Sequence, residues 1–161
     1  MVACVLILGF RWWRARTPPA RGGAGAGAAK AEDPRLILER PWIDRLPEKA
    51  TEHINAFLMI DRESLGIFQK ASQYQIFLEL FRHKRGGTSA KPEVGFAFPQ
   101  TGKQAKVKYR IWSCDELDGF DLCLELSRNP WGGPTRYHSA RDWESSQALR
   151  RVETRLLGAT P

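Results

Sequence analysis

A chain of 161 residues has the length of one domain and leaves no room within it for a second, catalytic one. A hydrophobic content of 42% with 11% aromatics permits a packed core and excludes a chain too polar to fold. The formal charge of +7 suggests nucleic acid only until it is divided: residues 1–40 hold seven Lys and Arg against three Asp and Glu, and the rest hold eighteen against fifteen.

Residues 1–10 are apolar, yet about ten residues cannot span a bilayer of roughly 30 Å as a helix. Arg11, Arg14 and Arg16 follow this run, whereas a secretory signal carries its charge in front. Residues 17–31 are rich in Pro, Gly and Ala and cannot build a core. The Gly23-x-Gly25-x-Gly27 spacing lacks the preceding strand and closing lysine of a phosphate loop. The expected organisation is a disordered low-complexity lead over 1–33, with a degenerate export signal left open, and a single β-rich domain over 34–161.

The domain begins with an extended arm or strand over 34–47, anchored by Trp42, because Pro41 and Pro47 interrupt any helix. Residues 53–60 form a short apolar run compatible with a buried strand. Tyr74, Ile76, Leu78 and Leu80 then alternate with Gln75, Phe77, Glu79 and Phe81, a period of two that predicts a strand, and 82–87 reads as the polar turn that ends it. Val94, Phe96 and Phe98 alternate next. After residues 99–103 the pattern resumes at Ala105, Val107, Tyr109 and Ile111, which predicts a hairpin. With Thr101 and Gly102 as a two-residue tip, Phe98 faces Ala105, Phe96 faces Val107 and Val94 faces Tyr109.

The following strand pair places Val107, Tyr109, Ile111, Phe120, Leu122, Leu124 and Leu126 on the inner face. Cys114 and Cys123 then share the outer face. Setting them opposite one another also sets Ile111 against Leu126 and Trp112 against Glu125, so a cross-strand disulfide is predicted. Closing a loop of about ten residues would contribute about 2.5–3 kcal/mol in the chain-entropy model. Such a bond points to an exported or envelope protein; two free thiols in a reducing cytosol are the alternative. No metal site is expected, since His138 and Cys4 supply no ligand spacing.

Residues 129–134 read as a rigid Pro and Gly loop around Trp131, followed by a short strand through Thr135 and Tyr137. Ser139-x-x-Asp142 resembles a helix start, and Trp143, Leu149, Val152 and Leu156 recur at helical spacing, predicting an amphipathic helix over 142–157. The fold class is therefore mainly β: a small antiparallel β-barrel or sandwich with a C-terminal helix. Its architecture resembles a calycin, or lipocalin-like, barrel over residues 40–157. The Gly-x-Trp opening of lipocalins is absent, since Arg40 and Pro41 precede Trp42, and no functional residue transfers on that likeness.

Motifs for chemistry are missing. His53, His83 and His138 have no nucleophilic or acidic neighbour at motif spacing. Asp115, Glu116, Asp118 and Asp121 read as a solvated acidic turn rather than a calcium loop. No cofactor is called for. The sequence thus points to a noncatalytic binding or structural domain, holding an apolar small ligand or a protein partner, with Trp131, Arg136 and Tyr137 as candidate contacts. One alternative is a small enzyme with a barrel-interior site, drawing on Arg110, His138 and Asp121. A second is weak anion or nucleic-acid binding through Lys103, Lys106, Lys108 and Arg110, a stripe that equally protects a strand from aggregation. Whether the aromatic residues fill the barrel or line a pocket decides between a solid module and a ligand carrier.

Overall fold

The computed structural model describes residues 31–49 and 51–143. Period-two alternation yields eight strands among them: β1 (Pro41–Ile43), β2 (Ile54–Ile60), β3 (Leu65–Ala71), β4 (Ile76–Thr88), β5 (Lys91–Ala97), β6 (Gln104–Ser113), β7 (Leu122–Leu126) and β8 (Arg136–Ser139). Each pairs antiparallel with the next, and β8 returns to β1 through His138 and Ile43, closing a barrel. The barrel alternative is thereby selected over the sandwich.

Several local readings are corrected. The arm before Pro41 is not extended: Pro34–Ile37 form a 3-10 turn, started by Asp33, whose Oδ1 accepts from the Arg35 amide at 2.8 Å. That turn drives Ile37 and Leu38 into one end of the barrel. Trp42 Nε1 donates to the Ile37 carbonyl at 3.1 Å and the Tyr109 hydroxyl to the Pro34 carbonyl at 3.0 Å, pinning the plug to the wall. Of the predicted lead, residues 1–30 lie outside the described residues. Ala31 bridges to Trp112, and the Glu32 amide donates to the Ile111 carbonyl at 2.8 Å.

Strand β3 was hidden by Gly66 and Lys70, which interrupt its apolar alternation. Gly66 is required there, because a Cβ at that position would strike the Phe81 ring and approach the Leu58 carbonyl to 2.9 Å. Residues 82–87 continue β4 instead of turning. Alternation persists through them, with His83 buried and Arg82 and Lys84 exposed, and the reversal falls at Ser89 and Ala90. Gly87, at φ +74°, permits it: a side chain would collide with the Lys91 carbonyl.

Both hairpin registers slip by two residues from those expected, which preserves every facing. Phe96 opposes Ala105 and Val94 opposes Val107, because the loop has four residues and not two. A two-residue tip would put a β-branched Thr101 at positive φ; in the observed loop only Gly102 takes that conformation, at +69°. Likewise Ile111 opposes Leu124 and Trp112 opposes Cys123, so the cysteines are diagonal neighbours. Their Cα atoms are 5.7 Å apart and the predicted disulfide is present.

Of the helix expected over 142–157, Asp142 and Trp143 belong to a turn and the remainder lies outside the described residues. Among the described residues the only helical element is the 3-10 turn.

Candidate functional site

The barrel interior is the first place to look for a ligand, and alternation sends Trp42, Phe57, Phe68, Phe81, Phe96, Tyr109 and Tyr137 into it. Phe57 meets Tyr137 edge to face at 5.0 Å, and Phe81 lies 5.3 Å from Phe96. Trp131, carried by the β7–β8 loop, stacks on Phe68 with centroids 4.5 Å apart and lies 5.2–5.3 Å from Phe57, Phe81 and Phe96. Asn129 fixes this loop: its Oδ1 accepts from the Trp131 amide and its Nδ2 donates to the Tyr137 hydroxyl, both at 2.8 Å. Trp131 thus plugs the end opposite the 3-10 turn. Burial of Tyr137 pushes its phenol well above the usual range.

The three candidate contact residues are consequently divided. Trp131 and Tyr137 face the core, whereas Arg136 lies on the outer face, its guanidinium 5.5 Å from the Trp112 ring. Arg110 covers the same indole at 4.6 Å and pairs with Glu125 at 2.9 Å. Of the residues offered for an interior enzyme site, Arg110 and His138 are both on this outer face, and Asp121 pairs with Arg141 at 3.3 Å.

The outer face is nevertheless buried along one band. Trp112, Cys123, His138, Ile43, Ala56 and Gln69 follow one another across six strands, and all are buried. Alternation alone had placed Cys123 toward solvent. His138 Nδ1 sits 3.4 Å from Cys123 Sγ, and desolvation lowers the imidazole's proton affinity, against the opposing pull of Glu116. Cys114, Cys123 and His138 bring their ligand atoms within 4.8 Å of one another. Sequence spacing missed this triad because register, not proximity along the chain, assembles it.

Two further surfaces meet on β4. Beside Arg82, Lys84, Gly95 and Lys106 lies an open concavity of about 550 Å³ on the outer wall of β4, β5 and β6. The basic residues named from sequence only partly belong to it: Lys106 lines it, and pairs with Glu93 at 2.6 Å. That pairing holds the Glu93 carboxyl below its usual range. Lys103 lies in the β5–β6 loop, Lys108 is exposed opposite Glu93, and Arg110 belongs to the Trp112 cluster.

The second surface is apolar. Tyr74, at the β3–β4 tip, and Ile76, Leu78 and Leu80, on the outer face of β4, are 69%, 36%, 42% and 54% exposed; Phe77, 54% exposed, alternates onto the inner face with Phe81, and these five are the large hydrophobic residues left open to solvent among the described residues. Tyr74, Ile76, Leu78 and Leu80 together present on the order of 400 Å², a size at which a patch on a monomer is commonly functional. This patch coincides with a gap in the wall, since β5 pairs only with Arg82–Thr88. The phase of the β3–β4 ladder follows from two bonds, Ser72 N to the Gln75 carbonyl at 2.8 Å and His83 N to the Ser64 carbonyl at 2.9 Å. Odd-numbered residues of β4 therefore bond to β3, and the backbone groups of Ile76, Leu78 and Leu80 point the other way. Among the described residues no strand pairs with that edge.

No protein-family model, no curated protein and no solved structure matches the chain.

Proposed function

We propose that the protein is a noncatalytic binding module whose partner is another protein, held along the open edge of β4. One observation carries this reading: an unpaired run of strand backbone coincides with the exposed apolar patch. A strand added there would form ladder hydrogen bonds with Ile76, Leu78 and Leu80 while laying its own apolar side chains beside theirs. The aromatic packing of the interior argues against the small-ligand alternative, because the rings that would line a pocket are in contact with one another. Eight up-and-down strands support the likeness to the calycin architecture. The Cys114–Cys123 bond supports placement in an oxidising envelope or extracellular space.

Replacing Tyr74 by a photo-crosslinking phenylalanine analogue, in the cells that make the protein, tests the reading directly. The expected result is one or a few adducts of discrete mass that disappear when Leu78→Lys is added. Absence of adducts, or adducts unchanged by Leu78→Lys, overturns it; so does native mass spectrometry that finds a small apolar molecule retained in the barrel.

A further inference from the structure

We infer that Cys114, Cys123 and His138 form a site for a thiophilic divalent cation of the zinc class once the disulfide is opened. The argument is geometric. A tetrahedral ion with Zn–S of about 2.3 Å and Zn–N of about 2.0–2.1 Å holds its sulfur and nitrogen ligands about 3.6 Å apart and its two sulfurs about 3.8 Å apart. Cys123 Sγ and His138 Nδ1 are already separated by 3.4 Å. The two cysteine Cα atoms, 5.7 Å apart on neighbouring strands, allow the freed sulfurs to move to that spacing by side-chain rotation.

The surroundings fit such a site. Cys123 and His138 are buried in the outer band and fixed on paired strands, so the imidazole is held in place before any ion arrives. Cys114 is only half-buried and closes the triad on its exposed side, which leaves a fourth position for water and a path for entry. The opening step balances without any unnamed reactant. A dithiol reductant gives two electrons and two protons to the Cys114–Cys123 bond and itself closes to a disulfide; the two protein thiols then lose their protons to solvent as the cation binds. The bond therefore occupies the same atoms as the ion, and oxidation and metal binding exclude one another.

This inference is independent of the β4 edge. To test it, the full chain is reduced with a phosphine, which leaves as its oxide with oxygen from water, and is then titrated anaerobically with Co²⁺ and, in competition, with Zn²⁺. One equivalent of Co²⁺ is expected to give sulfur-to-metal charge-transfer absorption and the intense visible bands of a tetrahedral ion, both bleached by Zn²⁺. Unreduced protein is expected to give neither. His138→Ala should weaken binding at least tenfold; if that variant does not fold, Cys114→Ser, at the more exposed sulfur, should remove about half of the charge-transfer intensity. Reduced protein without these bands, or bands indifferent to the substitution, would refute the site.

Discussion

Between Ile76 and Phe81 strand β4 pairs with β3 alone, at Arg82 it pairs with both neighbours, and from His83 to Thr88 its strand partner is β5 alone. The half paired with β5 turns Arg82 and Lys84 toward solvent, beside Glu93 and Lys106, as an outer wall exposed to water usually does. The half paired with β3 shows Ile76, Leu78 and Leu80 instead. Exposed strand edges normally carry charge or proline so that they do not recruit other chains. Here the stretch that β3 leaves open carries that charge, at Lys84 and Arg85, and the stretch that β5 leaves open lacks it. A single strand thus separates two solutions to the same problem, and the apolar one makes physical sense with a partner.

The comparison is sharpest at neighbouring residues. Phe81 is fully buried, 5.3 Å from Phe96 and 5.2 Å from Trp131, while Leu80 points out of the open half. Phe81→Ala is expected to cost about 3–5 kcal/mol and Leu80→Ala no more than about 0.5 kcal/mol, read from urea midpoints at constant slope. Equal effects would mean that Leu80 is not free on the folded domain. Gly66→Ala reaches the same ring from the adjacent strand: because the added methyl must displace Phe81, a loss of about 1–3 kcal/mol is expected. Leu78→Lys should leave the midpoint within about 0.5 kcal/mol, so that its effect on crosslinking reports contact and not folding.

Alternation made the antiparallel strands and the disulfide legible, because facing depends only on parity and survives a two-residue slip. Register was not legible. It depends on loop conformation, and the choice between a two-residue and a four-residue tip rests on the reluctance of Thr101 to adopt positive φ. The polar run at 82–87 was misread because charge on a strand's outer face looks, in sequence, like a turn. Nor could sequence show that β5 stops short of Ile76, since the length of a strand's neighbour is written elsewhere in the chain. Hence Leu78 was recognised as a strand residue and not as part of a surface. The Cys–His triad was hidden for the same reason: fifteen residues separate Cys123 from His138, and only the β7–β8 pairing makes them adjacent.

The smallest expected effect is one of pH, and it arises in the half of β4 that pairs with β5. His83 points inward between Arg82 and Lys84, with Nε2 3.1 Å from the Ile60 carbonyl. Desolvation lowers its proton affinity below the ordinary histidine value of 6.5; the carbonyls of Ile60 and Leu65 and the charge of Asp61 oppose the shift, and Arg85 adds to it. His138 is shifted in the same direction. Near pH 6.5 the unfolded chain therefore binds more protons than the folded one, so stability is fully present above that pH and is lost as pH falls toward the folded-state value. His83→Gln should flatten the decline of the urea midpoint below pH 6.5 by removing one of the two contributions. A slope that His83→Gln leaves untouched would place the titration elsewhere, and would remove the evidence that the β5-paired half of β4 is closed to water on its inner side.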